Sequence, residues 1–197
     1  MREAFSNAVS NRFTSHPFTV DRSCEAALYA YDSATDHRTY LTDSDSQKDI
    51  SLEISNVGET ELMHICIDGG VIEYGLEDYV GDGQPHGRCD CMIFNDAKLV
   101  FVEFKMNVET LRDKRIWQIC NDAMSQIEDF SGHLKNVFHQ HGDEFSNYYA
   151  KGHALALVCI KTAPNMNVRR NSQRLTAKDA FTSRTDLKIE YKTNVAF

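Results

Sequence analysis

The sequence predicts a single α/β domain in which helices flank a mixed β-sheet, and three observations lead to this class. Two apolar runs, residues 88–94 and 99–106, are separated by Asn95-Asp96-Ala97-Lys98 and predict a β-hairpin. Residues 109–138 carry apolar side chains at three- and four-residue spacing, as on one face of a long helix. A short apolar run at 153–160 then predicts a buried strand. Two strands, a helix and a strand in this order are typical of a sheet covered by helices, and 197 residues suit one domain.

The remaining segments are assigned from residue type and periodicity. Helices are expected at residues 1–13 and 22–31, loops at 32–49 and 71–87, and strands at 50–54, 62–68 and 187–195. Gly132 is a point where the long helix could break or bend. The core would then span about 62–160, with an N-terminal helical or loop addition (1–61) and a basic C-terminal segment (161–197).

Composition and charge limit the classes of function. The apolar and charged fractions are those of an ordinary soluble protein, and no apolar run is long enough for a membrane span or a signal peptide, so a cytoplasmic protein is expected. The six cysteines are scattered without a Cys-x-x-Cys pair, which favours buried reduced thiols. Net charge is -8, which argues against a protein that coats nucleic acid. Residues 161–197, however, carry eight Lys or Arg against three acidic residues. This segment is therefore either an end of the protein that binds a polyanion or a basic surface exposed to solvent.

Three charged side chains in the predicted hairpin point to chemistry. Glu103 and Lys105 share one face of an apolar strand, because side chains alternate along a strand. The rules for short turns place residue i opposite roughly 193 minus i, which puts Asp90 across from Glu103. Two carboxylates that close repel each other unless a cation lies between them. Mg²⁺, or Mn²⁺ in its place, is the cation that such hard oxygen ligands suit, and it binds substrate phosphate as well.

An acidic-x-Lys triplet is a weak signal by itself, since the chain contains four of them. They are Asp96/Lys98, Glu103/Lys105, Asp186/Lys188 and Glu190/Lys192. Among these, Glu103/Lys105 alone combines an apolar strand, an acidic residue on the preceding strand and an amphipathic helix after it. The alternative is an edge hairpin whose Glu–Lys pair faces solvent.

The stretch GRCDCMIF, LVFVEFKMNV and AMSQIEDF resembles the core of the PD-(D/E)XK, or restriction-endonuclease-like, nuclease superfamily, from about Gly87 to Phe130. No proline precedes Asp90 immediately, a mild departure from the family pattern. The resemblance implies that Asp90, Glu103 and the carbonyl of Phe104 bind the metal ion and that Lys105 activates or orients water.

The same resemblance implies further site residues on neighbouring segments. Family members often carry a glutamine on the following helix, for which Gln126 is the better match and Gln118 the rival. Members also have an additional acidic residue upstream, for which Glu73, Glu77 and Asp68 are the candidates. Four basic residues are candidates for phosphate contacts, with a solvated loop as the alternative: Arg169, Arg170, Arg174 and Lys178.

Three other residue choices have weaker support. His139-x-His141 could suggest a metal site, although two histidines without further ligands favour a loop. His86 could approach the site from its position near Asp90, and Trp117 is expected in the core.

The expected function is a Mg²⁺- or Mn²⁺-dependent nuclease acting on DNA, with RNA as the other substrate, in bacterial defence, repair or mobile-element biology. A homodimer is left open, and no membrane partner is expected. The alternatives are a nuclease-fold protein that binds or assembles without turnover, and an acidic inhibitor that binds a basic protein through residues 32–96.

Overall fold

The computed structural model describes residues 20–36, 38–67, 87–106, 112–139, 152–161 and 172–197. Within these ranges two mixed β-sheets and two α-helices form, as the predicted α/β class requires. The strands are β1 (Val20–Ser23), β2 (Ala27–Ser33), β3 (Arg38–Thr42), β4 (Ser51–Ser55), β5 (Leu62–Cys66), β6 (Cys91–Phe94), β7 (Leu99–Phe104), β8 (Ala154–Cys159), β9 (Lys188–Tyr191) and β10 (Asn194–Ala196). The helices are α1 (Asp113–His139) and α2 (Ser172–Thr185), with a 3₁₀ helix at Asp45–Ile50.

The main sheet has the order β1-β5-β6-β7-β8-β9 and contains the predicted hairpin at its centre. Strands β5, β6 and β7 are antiparallel neighbours, whereas β8 and β9 run parallel to β7. Asn95 forms the hairpin turn, because its side-chain oxygen accepts hydrogen bonds from the N–H groups of Ala97 (2.9 Å) and Lys98 (2.8 Å). Because β7 lies between β6 and β8, the Glu103/Lys105 triplet is not on an edge strand.

The second sheet has the order β10-β4-β2-β3 and packs on one face of the main sheet, while α1 and α2 cover the other. One apolar core lies between the helices and the main sheet, around Phe101, Phe130 and Phe181. The other lies between the two sheets, around Leu28, Leu52 and Val100. All the strands β5 to β8 are therefore covered on both faces, which is why their sequences are continuously apolar.

The N-terminal predictions were partly wrong. Residues 22–31 were expected to be helical, but β1 and β2 occupy most of this segment, and β3 lies in the expected loop at 32–49. In β2 the buried side chains of Leu28 and Ala30 alternate with more exposed ones, the two-residue period of a half-buried strand. The alanines suggested a helix by intrinsic propensity, and packing of β2 against the main sheet overrides that preference. The strands expected at 50–54 and 62–68 are present as β4 and β5, with β5 ending at Cys66.

The C-terminal region also differs from the prediction. Helix α2 was missed, since its sequence carries few apolar residues and its main buried contact is Phe181. The single strand expected at 187–195 is two strands in different sheets, with β9 paired to β8 and β10 paired to β4. Helix α1 continues through Gly132 without a break. The helix expected at 1–13 and most of the loop expected at 71–87 lie outside the described residues.

Across the part of the chain that is described, no helix has the length and apolar character needed to cross a membrane.

Candidate active site

Asp90 lies at the start of β6, next to the end of β7. The register of the two strands follows the expected sum of 193, with Cys91 opposite Val102 and Phe94 opposite Leu99. Regular pairing stops at Cys91, however, because the N–H of Asp90 donates to the carbonyl of Val102 at 3.0 Å. The Asp90 carboxylate then accepts a hydrogen bond from the Phe104 N–H, with Oδ2 2.5 Å from the nitrogen. Asp90 is therefore displaced from the regular position opposite Glu103 that the turn rules predicted, and its side chain caps the end of β7.

Glu103 and Lys105 form an ion pair at the carboxyl end of β7. The ammonium nitrogen of Lys105 lies 2.5 Å from Oε1 of Glu103. The Glu103 side chain is 1% exposed and that of Lys105 is 26% exposed, so the pair reaches from the core to the surface. Burying a carboxylate costs several kcal/mol unless a cation or hydrogen bonds compensate, and the Lys105 ammonium supplies part of that compensation.

The electrostatic environment keeps Lys105 protonated. Burial lowers the pKa of its ammonium, but the charge and hydrogen bond of Glu103, together with the charges of Asp90 and Asp32, raise it by more. The net effect is a pKa above the ordinary lysine value. In this state Lys105 acts as a hydrogen-bond donor and a positive charge.

The donor chemistry of this site suits a divalent cation such as Mg²⁺. Both carboxylates lie at the end of β7: Glu103 binds the Lys105 ammonium, and Asp90 accepts the hydrogen bond from the N–H of Phe104, the residue between Glu103 and Lys105. The N–H of Phe104 points to Asp90, and in an extended strand the carbonyl of the same residue points to the same side. No group of three His, Cys, Asp or Glu side chains gathers within the ranges that are described. Two carboxylates are nevertheless sufficient, since Mg²⁺ keeps several of its waters when proteins bind it.

A cleft of about 760 Å³ opens beside Lys105. It is bounded by the end of β7 at Phe104, by the β2–β3 connection and by one face of α1. Gln126 of α1 lines this cleft. Gln118 is exposed and is not among the lining residues, and a catalytic role for Gln126 stays a prediction.

Gly87 fixes the position of the chain that leads into Asp90. A Cβ atom at Gly87 would lie 2.8 Å from Oδ2 of Asp129 and 2.9 Å from Cα of Gln126. Neither distance is compatible with an ordinary side chain, and the second contact is to backbone. The absence of a side chain therefore allows this segment to lie directly against α1 beside Gln126.

Two acidic residues at the cleft were missed by the sequence analysis. Asp122 precedes Gln126 by four residues on α1, so the helical period could have found it once Gln126 had been chosen. Asp32 lies at the end of β2 and reaches the cleft because the second sheet packs on the main sheet. No local sequence signal connects Asp32 with Lys105. The upstream acidic candidates Asp68, Glu73 and Glu77 lie outside the described residues.

The charged residues of the three competing acidic-x-Lys triplets lie at the protein surface or at its margin, unlike the buried Glu103. Lys98 follows the hairpin turn and donates to the carbonyl of Ala196 at 2.6 Å. Glu190, on the edge strand β9 of the main sheet, forms ion pairs with both Lys188 and Lys192. Asp186 is bound by Lys135 at 2.5 Å. Glu103 is the one acidic residue of the four triplets that is buried.

Of the four basic residues proposed for phosphate contacts, the structure describes Arg174 and Lys178. The guanidinium of Arg174 lies 2.8 Å from Asp113 and stacks over the ring of Trp117, which packs at the margin of the core. The ammonium of Lys178 lies 6.0 Å from the ring centroid of Tyr191. These contacts attach α2 to α1 and to β9, and a role in phosphate binding stays a prediction. Arg169, Arg170, His86, His141 and the side chain of His139 lie outside the described residues.

Comparison with known proteins gives no match to a family model, to a curated protein or to a solved structure. The resemblance to the PD-(D/E)XK superfamily thus depends on the residues around Asp90, Glu103 and Lys105 alone.

Proposed function

We propose that this chain is a divalent-metal-dependent nuclease of the PD-(D/E)XK type that hydrolyses phosphodiester bonds of DNA, with RNA as the alternative substrate. The observation that carries the proposal is the arrangement of Asp90, Glu103 and Lys105 at the end of a central buried strand. Lys105 is paired with Glu103 there, the Asp90 carboxylate accepts from the Phe104 N–H, and an open cleft lies beside Lys105. Placing two carboxylates and an ammonium there is costly for the fold, and metal-assisted phosphodiester hydrolysis requires these groups.

Asp90, Glu103 and the Phe104 carbonyl would hold the ion, which when bound would polarise a phosphate oxygen and lower the pKa of a water molecule. Lys105 would direct its ammonium at the reacting phosphate and stabilise the negative charge that develops there. Because its pKa is raised, the lysine acts in this role as a donor of hydrogen bonds. Gln126, on the opposite wall of the cleft, would orient the attacking water through its amide.

Cleavage of plasmid DNA, single-stranded DNA and RNA in Mg²⁺ or Mn²⁺ tests this proposal, with Lys105→Ala as the diagnostic variant. Lys192→Ala is the matched control, because Lys192 also follows an acidic residue by two positions on a strand but lies at the sheet edge. The proposal requires cleavage by the unchanged protein and by Lys192→Ala, and a loss of at least ~100-fold in Lys105→Ala. Equal activity in all three proteins would show that the site has no catalytic role.

One observation favours a second candidate, a nuclease-fold protein that binds or assembles without turnover. The Lys105 ammonium is held by the buried Glu103 carboxylate, an arrangement that also serves stability alone. Calorimetric titration with Mn²⁺ separates the two candidates. Binding that is lost in Asp90→Asn supports the nuclease, and the absence of any such binding supports the second candidate.

A further inference from the structure

Cys66 and Cys91 lie directly opposite each other on neighbouring strands of the main sheet. They are register partners in the antiparallel pair of β5 and β6. Cys91 packs in the core between the two sheets, and Cys66 reaches the same layer through its contact with Thr39 of β3. Both are present as thiols, with Cys66 6% exposed and Cys91 fully buried.

The type of pairing brings the two side chains close together. The N–H of Asn95 donates to the carbonyl of Lys98 at 3.0 Å, and hydrogen-bonded and non-hydrogen-bonded pairs alternate along the β6–β7 ladder, so the backbone polar groups of Cys91 point towards Val102 of β7. They point away from β5, which makes Cys66 and Cys91 a non-hydrogen-bonded pair. The Cα atoms of such a pair are about 4.5 Å apart, within the range of roughly 4.4–6.8 Å that disulfides span. The backbone is therefore already placed for a bond between the two sulphurs.

One of the two sulphurs is hydrogen-bonded to a polar residue, Thr39, whose N–H donates to Sγ of Cys66 at 3.3 Å. The Thr39 hydroxyl lies 3.1 Å from Nε2 of His64, whose Nδ1 lies 3.0 Å from Oδ2 of Asp21. Cys66 is thus joined to a polar cluster between the two sheets, whereas Cys120 packs among apolar residues under the helices.

We propose that Cys66 and Cys91 are an oxidisable thiol pair that forms a cross-strand disulfide when the protein meets a peroxide. Cys66 is the less buried of the two and reacts first: its sulphur takes one oxygen from the peroxide, giving a sulfenic acid and releasing water. The Cys91 sulphur then attacks that sulphur, the S–S bond forms and a second water leaves. In total the two thiols lose two electrons and two protons, and the peroxide is reduced to two waters. This proposal does not depend on the nuclease activity, although Cys91 is adjacent to Asp90 in the chain.

Peptide mapping after treatment with hydrogen peroxide tests the proposal. Trypsin cuts after Lys48, Arg88 and Lys98, so Cys66 falls in peptide 49–88 while Cys89 and Cys91 share peptide 89–98. The chain for the experiment therefore carries Cys24→Ser and Cys89→Ser, which remove the exposed thiol and the ambiguity within peptide 89–98. After oxidation, remaining thiols are alkylated in denaturant before digestion.

The expected result is a linked pair of peptides 49–88 and 89–98 that dithiothreitol separates, with Cys120 and Cys159 still alkylated. The intact mass should fall by that of two hydrogen atoms. Recovery of Cys66 and Cys91 as alkylated thiols, or of Cys66 linked to another cysteine, would overturn the proposal. Adding Cys91→Ser should abolish the link; if that variant does not fold, the mapping in the Cys24→Ser, Cys89→Ser chain decides by itself.

Discussion

Replacing Lys105 by methionine removes an ammonium from a carboxylate that is almost completely buried. The methionine keeps the apolar stem of the lysine, so the change in stability reports mainly the lost charge. Breaking a fully buried ion pair costs ~3–5 kcal/mol, whereas exposed pairs contribute ~0–1 kcal/mol. Because Glu103 is 1% exposed and Lys105 is 26% exposed, we expect a loss of about 2–4 kcal/mol in the free energy of unfolding.

Urea denaturation of a double-mutant cycle measures this loss and its origin. The variant with both Lys105→Met and Glu103→Gln should be more stable than Lys105→Met alone, since the buried negative charge is then removed as well. Lys188→Met is the matched control, because its partner Glu190 lies on an edge strand and Lys188 itself is 73% exposed. Losses below ~0.5 kcal/mol for Lys105→Met, together with additive effects in the double variant, would refute the electrostatic account of the site.

The pH dependence of that loss follows from the direction of the pKa shift. The folded-state pKa of Lys105 is raised, so its stabilising effect is fully present below the unfolded pKa and disappears as the pH rises through the folded value. The difference between the original protein and Lys105→Met should therefore be retained throughout the window from about pH 6 to pH 9. A difference that vanished within this window would contradict the assignment.

Three further predictions concern the surroundings of the site. Gly87→Ala should lower the free energy of unfolding by ~1–3 kcal/mol, because the new Cβ would clash with α1. Gly132→Ala, with nothing within 4 Å of the new Cβ, should raise the free energy of unfolding by ~0.5–1 kcal/mol. Urea denaturation measures both changes. Gln126→Ala should slow metal-dependent cleavage by ~10-fold or more, with Gln118→Ala unchanged; equal rates would exclude Gln126 from the site. Burial raises the pKa of the Cys159 thiol to about 12, so its stabilising effect should be lost as the pH rises from about 9. The stability difference between the original protein and Cys159→Ala, measured across that range, should fall by up to ~1.4 kcal/mol per pH unit, and a constant difference would contradict the shift.

The elements that were predicted correctly are those whose pattern is set by burial on both faces. The hairpin of β6 and β7 and the strand β8 are continuously apolar because helices cover one side and the second sheet covers the other. Helix α2 and strand β2 could not be recognised in the same way. In both, a few buried residues such as Phe181 and Leu28 define the packing, and their neighbours are polar or of mixed propensity.

The candidate site was predicted where its residues are close in sequence. Glu103 and Lys105 are on one strand and Asp90 is one short turn away, so the register could be worked out from the turn. The displacement of Asp90 from the position opposite Glu103 could not be worked out in this way, because it arises from the hydrogen bond that the Phe104 N–H donates to the Asp90 carboxylate. Asp32 was missed for a different reason: it lines the same cleft as Lys105 from the second sheet, although the two residues are more than 70 positions apart in the chain.

The most direct test of the central claim is the rate of DNA cleavage by Asp90→Asn in the presence of Mg²⁺. Asparagine keeps an oxygen that can accept the hydrogen bond from the Phe104 N–H, so the end of β7 is retained while the negative charge is lost. We expect the unchanged protein to cleave DNA in Mg²⁺ and not in a chelator, and the folded Asp90→Asn protein to lose at least ~100-fold in rate. Cleavage by Asp90→Asn at the original rate, or in the presence of the chelator, would contradict the account.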